Sequence, residues 1–249
     1  MIKLIASDID GTLLFDRLDS VAPVIFDEIA RLKQKGIRFC PTSGRRLESM
    51  RRLFAPIADE LYYICENGGS IFAPDGTLLD AVPIDHETAM WLAHAILALE
   101  GCEVMVSGVR GCYLFPKGGE VVRAVEAVGN HIVYVPTPED IPEEIVKISI
   151  FCKNSAEVAP KLTGWPLPPQ IAGAWWVDFT RADKATGLRR LGELLNISRE
   201  EILAIGDNYN DVGMLQYAGT PYLMASAVPE LRARFPQQCR RVEDVLKSL

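Results

Sequence analysis

The stretch Leu4-Ile5-Ala6-Ser7-Asp8-Ile9-Asp10-Gly11-Thr12-Leu13-Leu14 decides how the chain is read: a short apolar run ends in two carboxylates one residue apart. Ile2, Leu4, Ile5 and Ala6 are nearly continuously apolar, which suits a strand buried on both faces of a parallel sheet. Asp8 and Asp10 then stand at its carboxyl end, where ligands bind in open α/β sheets. Side chains alternate along an extended chain, so the two carboxylates can point the same way, and Gly11 lets the backbone turn just beyond them. Two like charges that close are costly unless a cation joins them or one takes a proton. The first solution holds a hard ion such as Mg²⁺, and the second makes an acid/base partner beside a nucleophile. The plain alternative is a turn with an Asx-type cap after a strand.

Working outward, Val21 to Lys35 has apolar residues at helical spacing, and Gly36 is placed to end the helix. Ile37 to Cys40 reads as a second buried strand, running into Pro41-Thr42-Ser43-Gly44-Arg45-Arg46. A hydroxyl, a glycine and two arginines at a strand-to-helix junction could bring N–H groups and a guanidinium onto one anion, or form only a Ser N-cap with solvated arginines. Leu47 to Ala55 makes a short helix, and Tyr62 to Cys65 a third strand ending in Glu66-Asn67-Gly68-Gly69. Ser70 to Ala73 and Leu78 to Ala81 read as a hairpin around Asp75-Gly76.

The βα rhythm then stops. From Val82 to about Thr180 the pattern is a helix (Glu87 to Leu99), a second helix (Val121 to Val128) and short strands at Val104 to Val106, Cys112 to Phe115, Ile132 to Val135, Val146 to Phe151 and Trp175 to Phe179. Proline-rich loops at Pro136 to Pro142 and Trp165 to Pro169 interrupt it. This predicts an inserted α+β domain at 82–180, leaving 1–81 and 181–249 as one α/β core. The rhythm returns with Asp183-Lys184-Ala185-Thr186-Gly187 opening a helix through Leu195. A second apolar strand runs from Ile202 into Gly206-Asp207-Asn208-Tyr209-Asn210-Asp211. It is followed by a helix (Val212 to Tyr217), a strand (Thr220 to Met224) and two closing helices (Val228 to Phe235, Val242 to Leu249).

At 249 residues, 49% apolar and 24% charged, the composition is that of an ordinary soluble globular protein. A formal charge of −7 argues against a nucleic-acid or anionic-membrane partner. No apolar run reaches the roughly 18 residues of a membrane span, and strand-like sequence follows Met1 directly, so the cytoplasm is the expected compartment. Cys40, Cys65, Cys102, Cys112, Cys152 and Cys239 lie in apolar contexts without a C-x-x-C pair and are expected to be reduced core thiols. His86, His94 and His131 lie apart from one another and from the acids, which leaves a Ser-His-Asp triad without support.

Each polar cluster falls at the carboxyl end of a predicted strand, and parallel strands share that edge. In their order, Asp8-Ile9-Asp10-Gly11-Thr12-Leu13, Thr42-Ser43-Gly44-Arg45, Lys184 and Gly206-Asp207-Asn208-Tyr209-Asn210-Asp211 resemble the four motifs of the haloacid-dehalogenase-like (HAD) superfamily. Within it the chain most resembles the Cof-type phosphatases, whose large α/β cap is inserted after the third strand. Only about ten residues separate Asp10 from the first helix, too few for a domain, so the cap belongs to the later insertion point.

The resemblance implies a Rossmann-like HAD core and a Mg²⁺-dependent phosphatase of small phosphorylated metabolites, sugar phosphates first, acting as monomer or homodimer. It implies Asp8 as nucleophile and Asp10 as general acid and base. Mg²⁺ would be held by the Asp8 carboxylate, the Asp10 backbone carbonyl and Asp207. Ser43 and Lys184 would hold phosphoryl oxygens, and Asn210 and Asp211 would position metal-bound water or orient Lys184. Gly44, Arg45 and Asn67 are candidate substrate contacts, and closure of the cap would exclude water. Two departures touch substrate contacts rather than the chemistry at Asp8. Ser226 stands where Cof-type relatives usually carry Asn, and Lys184-Ala185-Thr186 lacks the glycine that commonly follows the lysine. Core packing is the expected role of both Trp175 and Trp176, which as strand neighbours face opposite ways.

Two other functions fit parts of the pattern. A phosphomutase or phosphotransferase would share the intermediate and differ in its acceptor. A phosphate-responsive binding module would need neither Asp10 nor a hundred-residue insertion.

Overall fold

The computed structural model describes residues 1–15, 20–116 and 119–249. In chain order the helices and strands before the insertion are β1 (Leu4–Ser7), α1 (Pro23–Gln34), β2 (Arg38–Pro41), α2 (Leu47–Leu53), β3 (Tyr63–Cys65), β4 (Ser70–Phe72) and β5 (Leu78–Ala81). The middle of the chain forms α3 (His86–Leu97), β6 (Cys102–Gly108), β7 (Cys112–Leu114), α4 (Glu120–Ala127), β8 (Ile132–Tyr134), β9 (Ile145–Cys152), α5 (Ser155–Val158), β10 (Gln170–Ile171) and β11 (Trp176–Phe179). The last third forms α6 (Lys184–Leu195), β12 (Ile202–Gly206), α7 (Val212–Tyr217), β13 (Thr220–Met224), α8 (Pro229–Arg234), β14 (Gln238–Cys239) and α9 (Val242–Lys247). Two compact units result, one of Met1–Asp80 with Ala182–Leu249 and one of Ala81–Arg181.

In the first unit a five-stranded sheet runs β14-β13-β12-β1-β2, all neighbours parallel. Strand β1, flanked by β12 and β2, shows why a continuous apolar run was needed. Leu4 and Ala6 pack into one cluster with Leu188, Leu191, Met214 and Leu215, whereas Ile5 packs into the other with Ile25, Ile29, Val242 and Val245. Alternate residues of β1 are therefore buried under helices on opposite faces, as the period of two requires. The register Ser7↔Pro41 and Ser7↔Ile205 brings the residues just beyond β1, β2 and β12 to one edge of the sheet.

The third predicted strand behaves differently from the first two. Tyr63–Cys65 meets the parallel sheet through a single bridge, Thr42 to Ile64, and otherwise pairs antiparallel with β4 in a three-stranded sheet β3-β4-β5. The chain reverses over Glu66–Gly68 straight after β3, so the next strand lies beside it before any crossover helix can form. The hairpin after it turns at Asp75, whose carboxylate accepts from the Thr77 amide at 2.9 Å.

The second unit is a six-stranded sheet, β10-β11-β9-β6-β7-β8, antiparallel except for the β7–β8 pair. Ala89, Leu92, Ala93 and Ile96 of α3 pack on Val104, Val106, Ile148 and Ile150. Val121 and Val125 of α4 pack with Met105, Cys112 and Leu114, which occupy the alternate strand positions. The two-residue strands β10 and β14 were not legible in the sequence, since two residues carry no periodicity.

One expectation needs correction here. Trp175 is 57% exposed and lies outside β11, while Trp176 is half-buried and does pack against the cluster of Met105, Cys112 and Leu114. Both rings meet the edge or face of Phe151 at steep angles, so a single partner serves adjacent residues, one of which lies before the strand begins. The six cysteines form no disulfide; five are buried and Cys102 is half-buried. Among the described residues no helix is long and apolar enough to cross a membrane.

Candidate active site

Asp8 follows β1 directly and is buried, as are Ser43 beyond β2, Lys184 at the start of α6 and Asp211 after β12. The ammonium of Lys184 joins two of them. Its Nζ donates to Asp8 Oδ1 and, at 2.6 Å, to Asp211 Oδ1. Asp183 makes this placement possible: as N-cap of α6 it accepts from the Thr186 amide at 2.7 Å, which starts the helix with Lys184 in its first turn.

Asp211 is fully committed to the protein. Its second oxygen accepts from the amides of Asp207 and Asn208 at 2.9 and 3.0 Å, while its first holds Lys184. Asp207 is half-buried, and one of its oxygens accepts from Thr12 Oγ1 at 3.1 Å. Gly11 permits that approach. Its φ of +90° puts it in the region that favours glycine, and a Cβ there would lie 2.4 Å from Asp207 Oδ2.

Asp8, Asp207 and Asp211 offer carboxylate oxygens all within 4.8 Å of one another, and Lys184 is the cation among them. Burial pushes the Asp8 carboxyl well above its usual range, opposed by Lys184 and reinforced by the neighbouring acids. Burial and the charge of Asp211 raise Asp207 as well. Burial works against the Lys184 ammonium, but Asp211 and Asp8 outweigh it, so the lysine holds its proton more tightly than usual. Asp8 Oδ2 is buried and has no hydrogen-bond partner. An orphaned carboxylate oxygen beside a second carboxylate, with negative charge in excess of the one ammonium, is a donor set that fits a hard divalent cation.

The other predicted residues divide. Asp10 lies at the same edge but its side chain is 54% exposed and is gripped by Arg45, whose Nε and Nη2 donate to its two oxygens at 2.8 and 2.6 Å. That hydrogen bonding raises the Arg45 guanidinium further above its ordinary value. Arg45 thus stands on the general-acid candidate rather than on open space, and it also donates to Ser49 Oγ at 3.2 Å. Ser43 Oγ accepts from the Arg45 amide at 3.2 Å, which leaves its hydroxyl proton available. Asn67 lies beside Gly44, where an added Cβ would be 3.1 Å from Asn67 Nδ2. Its Oδ1 is buried without a hydrogen-bond partner. Asn210 is exposed on the turn Tyr209–Asp211, and Asn208 caps that turn by accepting from the Tyr209 amide at 2.8 Å.

Sequence reading singled out neither Thr12 as an Asp207 partner nor the pairing of Arg46 with Glu66. Arg46 Nη1 donates to Glu66 Oε1 at 3.3 Å, and both side chains are buried. The clue available was Glu66 itself, a charged residue between an apolar strand and Asn-Gly. Glu66 and Asn67 have φ of +52° and +54°, left-handed values that asparagine tolerates but that cost a residue such as Glu66 about 1–2 kcal/mol. Gly68 follows at +94°, and a Cβ there would lie 2.0 Å from the Asp183 carbonyl oxygen. The turn therefore packs directly on the start of α6, against Gly187, whose own Cβ would lie 2.9 Å from Gly68 Cα. A glycine three positions after Lys184, not next to it, makes the close approach in this chain.

Residues 5–163 and 173–245 match the family model of the haloacid dehalogenase-like hydrolases. The chain is 27% identical over 236 residues to the 5-amino-6-(5-phospho-D-ribitylamino)uracil phosphatase YbjI of Escherichia coli (strain K12), with 91% of this chain and 86% of that protein covered. It is 26% identical over 249 residues to the HMP-PP phosphatase of Cronobacter sakazakii, covering 95% and 89%. A crystal structure from Eubacterium rectale superposes with a TM-score of 0.88 at 30% identity over 99% of this chain and 98% of that one. The sugar phosphatase BT4131, of HAD subclass IIB, shares the fold with a TM-score of 0.83 at 20% identity, covering 99% and 98%. The chain therefore belongs to the haloacid dehalogenase-like hydrolases, as a phosphoric monoester hydrolase of the Cof type.

Proposed function

We propose that this chain is a Mg²⁺-dependent phosphatase that hydrolyses small phosphorylated metabolites, sugar phosphates first, through an aspartyl-phosphate on Asp8. The observation that carries the reading is the state of the Asp8 carboxylate. One oxygen is held by Lys184 and the other is buried, without a partner and beside Asp207. Such a group is oriented and desolvated, and in its ionised form it can attack phosphorus.

Asp8 forms the new O–P bond as the bond from phosphorus to the leaving oxygen breaks, and Asp10 hands its proton to that oxygen. Water then attacks the phosphorus, Asp10 takes the water's proton, and the bond to Asp8 breaks to release inorganic phosphate. Ser43, with its free hydroxyl proton, and Lys184 hold the phosphoryl oxygens while charge redistributes. Asp211 keeps Lys184 in place and so acts through it. The Asp8 and Asp207 carboxylates with the Asp10 carbonyl would hold Mg²⁺, which when bound neutralises the acids and lets an anionic substrate approach. Unit Ala81–Arg181 takes the part of the cap and carries selectivity for the leaving group.

The test is steady-state hydrolysis of a panel of phosphorylated metabolites with Mg²⁺ or EDTA, for wild type, Asp8→Asn and Asp10→Asn. Metal-dependent phosphate release that both variants lose supports the proposal. A wild type that moves phosphate only onto a second sugar, never onto water, would replace it with a phosphotransferase.

A further inference from the structure

Glu66 occupies a backbone conformation that glycine adopts more readily, with φ at +52°. A side chain kept at such a position is there for what it contacts, and its carboxylate accepts from the Arg46 guanidinium with the two side chains 2% and 7% exposed. A buried ion pair is seldom the most stable way to fill a site, since apolar residues of the same shape do as well or better. What the pair joins is more telling than what it stabilises.

Arg46 is the residue before α2, at the end of the loop that carries Ser43, Gly44 and Arg45. Glu66 opens the turn that carries Asn67. The two segments are also laced by their backbones. The Ser43 amide donates to the Ile64 carbonyl at 3.0 Å, the Asn67 amide to the Ser43 carbonyl at 2.9 Å, and the Glu66 amide to the Arg45 carbonyl at 3.1 Å. The same turn ends at Gly68, whose backbone lies against the Asp183 carbonyl, one residue before Lys184. One left-handed turn thus touches both the loop that carries Ser43 and the start of α6, whose Lys184 is the cation on Asp8.

We propose that Arg46 and Glu66 are positioning residues: their buried pair fixes the Asn67 turn against the Ser43 loop and, through Gly68, against the start of α6. Ser43 and Lys184 are thereby held at the spacing that one phosphoryl group requires. This rests on the phosphatase reading for the identity of the anion, while the interlocked geometry stands without it.

The test compares wild type with Glu66→Gln and with the double variant Arg46→Met/Glu66→Gln, which removes the buried charge that the single variant would strand. Three quantities are measured: affinity for orthovanadate by calorimetry with Mg²⁺ present, kcat/KM for p-nitrophenyl phosphate, and Tm. Vanadate takes the five-coordinate geometry of phosphoryl transfer, so loss of positioning lowers its affinity and kcat/KM together, by about tenfold or more. Affinity for Mg²⁺ alone stays near that of wild type, because Asp8 and Asp207 are untouched. Variants that keep wild-type vanadate affinity and kcat/KM and differ only in Tm would reduce the pair to packing and overturn the proposal. If wild type binds vanadate yet hydrolyses nothing, the phosphatase reading fails, and the variants' vanadate affinities still decide this one. A wild type that binds no vanadate overturns both.

Discussion

Arg45 holds Asp10 by both carboxylate oxygens, Nε to Oδ2 at 2.8 Å and Nη2 to Oδ1 at 2.6 Å. This fork fixes the rotamer of an exposed side chain, and planar bidentate pairing is what a guanidinium does and an ammonium cannot. Replacing Arg45 by Gln frees Asp10 to sample other rotamers. General acid catalysis contributes about 10²–10⁴-fold, so a partial loss of orientation should lower kcat for alkyl phosphates by about tenfold. p-Nitrophenolate leaves without help from an acid, and kcat for p-nitrophenyl phosphate should change less. Equal losses on both substrates would show that Arg45 acts on phosphate binding instead. Stability should move by no more than about 1 kcal/mol, since Asp10 is exposed.

Lys184 is the cation between Asp8 and Asp211, all three buried. Lys184→Gln strands two carboxylates, and breaking a buried pair from one side costs about 3–5 kcal/mol. Urea unfolding of the variant should show a midpoint lowered accordingly with an unchanged m-value. Because the same lysine is proposed to hold the phosphoryl group, the turnover that remains at a temperature where the variant is folded should also be strongly reduced.

The carboxyl of Asp207 is raised by burial and by Asp211, and that of Asp8 by burial against the pull of Lys184. A carboxyl whose pKa is raised on folding favours the folded state below the ordinary carboxylate range, and that contribution is lost as pH rises through the folded value. Metal-free protein should therefore lose Tm from about pH 4 towards neutrality. Mg²⁺ at a hundred times its dissociation constant should restore about 2.7 kcal/mol. Asp207→Asn should flatten the metal-free pH dependence and abolish the Mg²⁺-induced rise in Tm. A rise that survives in Asp207→Asn would take that residue out of the metal site.

Gly68 lies against the Asp183 carbonyl with φ at +94°. Gly68→Ala forces the turn away from α6 and adds left-handed strain of about 1–2 kcal/mol before any contact is counted. Thermal unfolding should report a loss of at least that size, and kcat/KM should fall further than the loss of folded protein explains. Gly76→Ala, at a similar φ of +82° but with open space around it, is the control. It should carry the strain alone and leave turnover unchanged.

Much of the core could be read directly because the information is local. The apolar run Leu4 to Ala6 dictates a strand buried on both faces, and the helical spacing of Leu188 and Leu191 dictates which side of α6 covers it. The acids at Asp8, Asp10, Asp207 and Asp211 were visible as residue types at strand ends, and family resemblance supplied their expected roles. Pairing choices were beyond that reach, because they depend on partners far away in the chain. Glu66 reads as a turn residue until Arg46, twenty positions earlier, is buried against it. Tyr63–Cys65 reads as another parallel strand until the immediate reversal at Glu66–Gly68 hands it an antiparallel neighbour. Arg45 reads as a cation at a strand end, and its pairing with Asp10 is set only by folding. The sequence determined which chemical groups reach the sheet edge, since period and apolar content fix strand and helix faces locally. Only the tertiary structure decided which group neutralises which, because charge pairing is set by distances that close when separate segments pack.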